Sequence, residues 1–339
     1  MTIDFKHIQA AHCENGVTTN LLRHIGVNKM TEPLAFGIGS GLFFIHIPLL
    51  KINNGPAISY RSLPGWIFTN TCNALNVPVV RKKFSSPEKA RQYLDECLKA
   101  NQPVGCQVGV YYLTYFPKEY RFHFNAHNVV VFGKEDDNYL VSDPVMETAT
   151  VLNTYELQRV RFAKGALAPR GQLYYPQQNG QVTDEAIRKA IVKGIKRNII
   201  FMLRIPGNVA GIRGIRYTAR KICKWRDKLG VQKAGVYLAQ LVRMQEEIGT
   251  GGGGFRFIYA AFLQQACAFH PSQADKLLKI SEQFTKAGDL WRSSAVQAAG
   301  IFKGRITSQQ DFNDMANYLY EVAEIEKQAF IALSKIKWN

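Results

Sequence analysis

Cys13 stands at a position where a cysteine can act as a nucleophile. It follows a short extended stretch and lies at the start of the first predicted helix, which runs from Glu14 to Ile25. The unpaired backbone N–H groups and the dipole of a helix stabilise a thiolate at its N-terminal end. A single cysteine in such a place is more often structural than catalytic, so the hypothesis needs further residues.

His127 and Asp143 supply this support. His127 begins a β-branched run that predicts a buried strand over 127–133, and after a polar turn a return strand over 139–142 ends at Asp143. An antiparallel hairpin places the start of one strand beside the end of the next, so the two side chains are predicted neighbours. An aspartate beside a histidine fixes its tautomer and supports the imidazolium form. We therefore predict Cys13 as nucleophile, His127 as base and Asp143 as the residue that orients the base.

The remaining elements must position these three residues. Short strands and helices alternate in the first half of the chain, among them a helix predicted over 86–99 and a strand over 104–113. From Thr183 onward the pattern is helical almost throughout, and a Thr-x-x-Gln capping box is predicted from Thr307 to Gln310. A cysteine at a helix start, followed by a histidine and an aspartate on a hairpin, is the papain-like arrangement.

The segment 163–184 is rich in Gly, Pro, Gln and Asn, which favours a domain boundary. We therefore expect an α+β protein. A papain-like cysteine peptidase or acyltransferase fold would occupy residues 1–170, and a mostly α-helical domain with a Gly-rich loop would occupy 171–339.

Charge is distributed unevenly along the chain. The 339 residues carry a formal net charge of +17, and much of the excess lies between Lys193 and Lys228, where Asp227 is the only acid. Such a segment attracts polyanions, among them an acidic protein, a phosphate-bearing ligand, nucleic acid or an anionic membrane surface. A solvated helix face is the alternative. Because no nucleic-acid-binding signature accompanies the charge, nucleic acid is an unlikely partner.

The other compositional features argue against several classes of protein. The first residues lack a basic and an apolar region of a secretory signal, and the six cysteines have no metal-site spacing. We therefore expect a cytoplasmic protein with reduced thiols and no metal. The most apolar stretch, 34–50, is short and contains three glycines, so it predicts a buried core segment rather than a membrane span.

Several motifs together resemble the butirosin biosynthesis protein H family. In the first half these motifs are Phe5-Lys6-His7, His12-Cys13-Glu14, Leu21-Leu22, Glu32, Phe36 to Leu42, His127 to Gly133, and Val141 to Pro144. The second half resembles the helical domain that often follows, through Ile248 to Arg256, Tyr259 and Phe262-Leu263. The resemblance covers nearly the whole chain.

The resemblance implies an acyltransferase. An acyl or aminoacyl group would pass from the phosphopantetheine thioester of an acidic acyl carrier protein to Cys13, with His127 and Asp143 assisting. It would then pass to a small-molecule amine, as in aminoglycoside biosynthesis. The chain itself would bind no cofactor, since the phosphopantetheine belongs to the carrier.

Further candidate residues concern the oxyanion site and substrate binding. Related leader peptidases have a glutamine six residues before the cysteine, where this chain has His7; Gln9 and the Cys13 backbone N–H are the other candidate donors. Candidate substrate-binding residues are Glu32, Arg61, Gly251, Gly252 and Arg256. Arg61 could pair with Glu32 or bind a carboxylate. The Gly-rich loop at 249–254 opens onto a helix and could bind a phosphate, or act as a plain hinge.

Two other functions remain open. The same three residues would serve a cysteine peptidase or amidase in which water accepts the acyl group. A non-catalytic binding protein on this fold is the third hypothesis, because fold alone does not prove activity.

Overall fold

The computed structural model describes residues 1–52, 54–178 and 180–338, and it divides into two units. The first unit comprises Met1–Ala35 and Ile67–Thr183, and the second comprises Phe36–Trp66 and Asp184–Asn339. This division differs from the expected one at 170/171, because an early segment belongs with the helical unit and the first unit continues to Thr183.

Strands and short helices alternate through the first half of the chain, and long helices follow in the second half. The helices are α1 Cys13–His24, α2 Glu32–Ile38, α3 Trp66–Ala74, α4 Pro87–Lys99, α5 Thr154–Arg161, α6 Asp184–Ile199, α7 Gly211–Leu229, α8 Val231–Val242, α9 Arg256–Ala266, α10 Ala274–Phe302 and α11 Gln309–Ser334. The strands are β1 Leu42–Ile52, β2 Gly55–Arg61, β3 Val79–Lys82, β4 Val104–Val108, β5 His127–Glu135, β6 Asn138–Ser142, β7 Thr150–Asn153 and β8 Leu173–Pro176.

The first unit is built on a six-stranded antiparallel sheet with the order β3-β8-β4-β5-β6-β7. α1, α4 and α5 pack against this sheet. The core beneath them is aliphatic, with Leu94, Val104, Val129, Val131 and Val141 fully buried. The sheet therefore carries β5 and β6, the predicted hairpin, next to the helix that begins at Cys13.

β8 explains why the first unit extends past the expected boundary. It lies between β3 and β4, yet its sequence belongs to the Gly- and Gln-rich segment 163–184. The strand has only four residues and ends at Pro176, which cannot donate to a ladder. Its flanks therefore have the composition of a linker although the strand itself completes the sheet.

The second unit combines the β1–β2 hairpin with the helices α6 to α11. The long helix α10 packs on α11, α8 and α9, and α11 also packs on α7. The last helix is capped one residue later than predicted: Ser308 accepts from the backbone of Asp311, whose carboxylate accepts from the Ser308 backbone. Ser308 takes the N-cap position because its backbone is extended there, as is typical of an N-cap residue.

The apolar stretch 34–50 forms most of α2 and the larger part of β1, separated by a turn at Gly39 to Gly41. Leu34, Phe36, Leu42 and Phe44 are buried, as a core segment requires. No helix within the described residues combines the length and the apolar character needed to cross a membrane.

Candidate active site

Cys13 is the first residue of α1, and the residue before it caps the helix. The backbone of His12 is extended, and its Nδ1 accepts from the Asn15 N–H at 3.3 Å. The first backbone N–H groups of a helix have no partner within the helix, so they are oriented toward the space beyond the helix start. The Cys13 side chain therefore lies in the positive field of the α1 N-terminus.

Glu32 holds the chain that leads into Cys13. Its carboxylate accepts from the backbone N–H groups of Ala11 at 2.9 Å and His12 at 2.8 Å, and from the Asn15 side chain at 3.4 Å. Burial raises the pKa of the Glu32 carboxyl, while these hydrogen bonds favour its ionised form. The sequence suggested Glu32 as a substrate ligand, but both of its oxygens bind the chain around the nucleophile, which makes it a positioning residue.

His127 begins β5, and Asp143 directly follows β6, its antiparallel partner. The His127 Nε2 atom lies 2.7 Å from Asp143 Oδ2, and both side chains are buried. The Cys13 side chain lies near enough to the imidazole to help raise the pKa of His127. Since Asp143 occupies Nε2, Nδ1 is the nitrogen that remains for the thiol. The structure thus brings the three predicted residues together in the predicted order.

The electrostatics of His127 suit an imidazolium beside a thiolate. Burial alone would lower the pKa of His127, because it disfavours the charged ring. The negative charges of Asp143 and Cys13, and the hydrogen bonds to both, outweigh burial and raise the pKa of His127 well above 6.5. The ring can therefore hold a proton at neutral pH and deliver it to a leaving group.

Asp143 has partners that the sequence did not reveal. Tyr115 donates its hydroxyl to the same Oδ2 atom at 2.8 Å, and the backbone N–H of Val145 donates to Oδ1 at 3.2 Å. Burial, together with the adjacent Asp143 carboxylate, raises the pKa of Tyr115 well above its usual value, so the phenol stays protonated as a donor. Tyr115 lies in a loop with no regular pattern, and no sequence signal indicates its partner.

Asn128 is a second residue at the site that sequence reasoning missed. Its Nδ2 atom lies 3.9 Å from Cys13 Sγ and donates to the Ala126 carbonyl at 3.0 Å. Tyr174 donates to Asn128 Oδ1 at 2.7 Å, which fixes the amide with its N–H₂ group toward the thiol. Tyr174 approaches this closely because Gly105 lacks a Cβ, which would lie 2.5 Å from the Tyr174 ring. The sequence signal that could have indicated Asn128 was an amide residue within a buried, β-branched strand.

α1 packs closely against Pro144, at the end of the hairpin. A Cβ at Gly16 would overlap the Pro144 ring and come within 2.8 Å of Ala10. The Ala10 N–H also donates to the Pro144 carbonyl at 2.7 Å. Gly16 therefore allows α1 to lie against the residue that follows Asp143.

The two side chains predicted for the oxyanion site are placed differently. His7 uses both ring nitrogens, Nδ1 with Ser142 Oγ at 2.7 Å and Nε2 with the Met146 carbonyl at 3.1 Å. These bonds tie His7 to the segment around Asp143, so its ring has no free N–H for an oxyanion. Gln9 is exposed. Of the predicted donors, the Cys13 backbone N–H remains at the nucleophile, beside the Asn128 amide.

The other predicted substrate-binding residues belong to the second unit, where they have structural partners. Arg61 Nε donates to the Ser62 carbonyl at 3.1 Å. Arg256 is fully buried, and its Nε and Nη2 donate to the two Glu326 oxygens at 2.8 and 3.0 Å. Arg256 is therefore part of an internal ion pair rather than an arginine presented to a phosphate.

The Gly-rich loop already holds an anion of the chain itself. The Gly253 N–H donates to the Glu246 carboxylate oxygens at 3.1 and 3.2 Å, and the Gly252 N–H donates to Thr250 Oγ1 at 3.0 Å. Gly251 and Gly252 have φ values of +67° and +83°, which favour glycine. The Gly253 N–H, one of the loop donors expected to face a phosphate, is thus used by the Glu246 carboxylate. Within the described residues, no group of three or more His, Cys, Asp or Glu side chains could hold a metal.

Comparisons with known proteins agree with this domain order. Residues 12–144 match the family model described as butirosin biosynthesis protein H, N-terminal, and residues 155–333, more than half of the chain, match a domain of unknown function (DUF4872). No curated protein matches the chain significantly. Among solved structures, a C39-like peptidase candidate from Bacillus anthracis aligns with 53% of this chain and 98% of its own, at 14% identity and a TM-score of 0.37. A likeness this weak carries no argument about activity.

The first half is a domain of papain-like fold, and the second half is a helical domain. The chain belongs to the family of butirosin biosynthesis protein H-like proteins, and in it the N-terminal domain precedes the domain of unknown function.

Proposed function

We propose that the chain is an acyltransferase that carries an acyl or aminoacyl group on Cys13, between the thioester of an acyl carrier protein and an amine acceptor. The observation that carries the proposal is that His127, bonded to Asp143, lies near Cys13 at the N-terminus of α1, within a butirosin biosynthesis protein H N-terminal domain.

Each step of the transfer has a group in place. Cys13 Sγ attacks the thioester carbonyl carbon, and collapse of the tetrahedral intermediate breaks the bond to the carrier sulfur, which takes a proton from His127. The acceptor amine then attacks the acyl-Cys13 carbonyl, His127 removes the proton from the amine, and Cys13 leaves as a thiolate. The products are an amide and the free carrier thiol. Asp143 holds the ring through Nε2, which leaves Nδ1 to exchange the proton with the sulfur in both steps.

Two donors next to the sulfur suit the oxyanion of the tetrahedral intermediate. The Cys13 backbone N–H lies at the start of α1, and the Asn128 amide lies 3.9 Å from the sulfur. A carbonyl oxygen bonded through carbon to the sulfur lies within reach of donors placed at such a distance. Tyr174 fixes the Asn128 amide before the substrate arrives, so no reorganisation is needed during the reaction.

The low exposure of Cys13 favours an acyl donor whose thioester is carried on a narrow arm. Cys13 is only 7% exposed and His127 only 6%. A nearly closed site admits a flexible thioester arm and limits the access of water, which would hydrolyse the acyl-enzyme. The net charge of +17 would also attract an acidic carrier protein.

Intact-protein mass spectrometry tests the proposal. The protein is incubated with acyl-thioester mimics of the phosphopantetheine arm, and Cys13→Ala is compared with Cys223→Ala, which removes a thiol in the second unit. We expect an acyl adduct on the wild type and on Cys223→Ala but not on Cys13→Ala.

The fate of the adduct then separates the candidate functions. Loss of the adduct that is accelerated by a primary amine, with amide as product, supports the transferase. Loss at the same rate in buffer alone would indicate a peptidase or amidase. The absence of any adduct across a broad panel of donors would support the non-catalytic hypothesis.

A further inference from the structure

A cavity on the outer face of α7 collects positive charge within the second unit. Its volume is about 310 Å³, and it is lined by Asn208, Tyr217, Arg220, Lys221, Lys224 and Lys228. Five of these residues lie on α7 at the spacing of one helix face, and Asn208 comes from the loop before the helix. The carbon atoms of these side chains form most of the lining, and the exposed Arg220, Lys224 and Lys228 place positive charge around it.

These four cations have no carboxylate partner within the described residues. The acids near α7 pair elsewhere, Glu324 with Arg216 and Asp227 with Arg226. Lys224 lies four residues from both Arg220 and Lys228, and like charges at that spacing destabilise a helix. An anion in the cavity would relieve this repulsion.

Contacts with the buried His46 hold the part of α7 that carries the cations. His46 packs edge-on against Tyr217 at 5.4 Å, and its Nδ1 lies 2.9 Å from Thr218 Oγ1. Burial, and then the charge of Lys221, lower the pKa of His46 to about 4, so the ring is neutral at pH 7. Lys221 lies over the Tyr217 ring at 5.1 Å. The backbone that carries the cations is thus held in place without a ligand.

The charge around the cavity indicates the class of ligand. One phosphate monoester carries about −1.5 to −2 at pH 7, so four cations match roughly two phosphate groups. A solvated helix face would not need a concave arrangement of this kind.

We propose that this cavity binds a small ligand that carries two adjacent phosphate groups, through Arg220, Lys221, Lys224 and Lys228, with Tyr217 and Asn208 as neutral donors. The inference does not depend on acyl transfer, because every residue in it belongs to the second unit, whereas Cys13 and His127 belong to the first.

Calorimetric titration with sodium pyrophosphate at constant ionic strength tests the proposal on the full chain. We compare the wild type with Lys224→Gln/Lys228→Gln and with the matched control Lys286→Gln/Lys303→Gln, whose lysines are exposed in the same unit. Each pair removes two positive charges through the same substitution. Orthophosphate serves as the ligand with one phosphate.

We expect saturable one-to-one binding of pyrophosphate, weaker binding of orthophosphate, and a dissociation constant that rises about tenfold or more in Lys224→Gln/Lys228→Gln only. The absence of saturable binding to the wild type would overturn the proposal. So would an equal loss in both variants, which would indicate a general effect of net charge. Binding of a short oligonucleotide that pyrophosphate does not displace would instead identify a nucleic-acid surface.

Discussion

A buried cluster of polar and charged side chains lies in each of the two units. The cluster of the first unit consists of Cys13, His127, Asp143, Tyr115 and Asn128, and that of the second unit consists of Arg256, Glu326 and Trp291. Both contain charges that would be costly to bury without partners.

The charged groups of the second cluster bind one another. Arg256 donates to both Glu326 oxygens and, through Nη1, to the Gly254 carbonyl at 2.7 Å. Trp291 donates to Glu326 Oε1 at 3.1 Å, and the guanidinium also lies 5.3 Å from the centre of the Trp291 ring. Since an arginine stays charged at all ordinary pH values, Arg256 supplies no proton for a reaction, and the cluster serves the packing of the second unit.

The first cluster is built so that a proton can move. His127 hydrogen-bonds the Asp143 carboxylate, and its pKa depends on the charges of both Asp143 and Cys13. Its nucleophile keeps a small exposed fraction, whereas Arg256 and Glu326 have none. The comparison indicates when a buried charged cluster is a candidate active site. One of its side chains must be able to change its protonation state, and a substrate must be able to reach the reacting atom.

Asp143→Asn should have the largest effect, because it removes the charge that distinguishes the first cluster. The amide keeps the volume but loses the attraction to the imidazolium, so acyl transfer should slow by about 10²- to 10⁴-fold. The alkaline limb of the pH–rate profile should move to lower pH, since the Asp143 charge is the largest of the causes that raise the pKa of His127. Acylation rates measured between pH 5 and 10 check both effects.

The raised pKa of His127 also makes the stability of the wild type depend on pH. Folding raises the pKa of His127 above 6.5, so the protonated ring stabilises the fold. That contribution is complete below the unfolded value near 6.5 and is lost as the pH rises through the folded value. Urea unfolding of Asp143→Asn should show a smaller loss over this range, and an unchanged loss would contradict the assignment to His127.

Glu326→Gln should damage the second cluster without affecting chemistry. It leaves the Arg256 charge buried without its partner, and the free energy of unfolding should fall by about 3–5 kcal/mol. The control Glu321→Gln, an exposed acid on the same helix, should stay within about 0.5 kcal/mol of the wild type. Denaturant titration measures both variants. Equal effects would show that Arg256 does not need Glu326.

Tyr174→Phe should have a smaller effect that falls on the first cluster alone. It removes the hydroxyl that orients the Asn128 amide, leaves Asn128 Oδ1 without its donor, and should cost about 1–3 kcal/mol of transition-state stabilisation. Tyr93→Phe, which removes a hydroxyl bonded to Tyr175 at 3.1 Å, is the matched control. Single-turnover acylation rates should fall in Tyr174→Phe only; equal rates would mean that Asn128 has no part in the reaction.

The sequence was informative where chemistry depends on local geometry. The order of two strands and a short turn sufficed to place His127 beside Asp143, and a helix start sufficed to place Cys13 in a positive field. Their catalytic roles stay a prediction, which the acylation rates of the variants test. The papain-like α+β domain followed by a helical half is confirmed.

Contacts between segments that are distant in the sequence could not be predicted. Tyr115 and Tyr174 come from a loop and from a four-residue strand, and they meet Asp143 and Asn128 only because the sheet order places them there. Arg256 was predicted to be a substrate-binding residue beside the glycine run. Its actual partner, 70 residues further along, is one that spacing alone cannot reveal.

The reactivity of Cys13 relative to the other thiols tests the central claim most directly. Burial raises the pKa of Cys72, Cys97, Cys106, Cys223 and Cys267. Iodoacetamide labelling, followed residue by residue by mass spectrometry between pH 5 and 9, compares all six in one sample. We predict that Cys13 alkylates far faster than the half-buried Cys223 and Cys267 at pH 6, and that His127→Ala removes the difference. A Cys13 that reacts no faster than Cys223 at that pH would contradict the account.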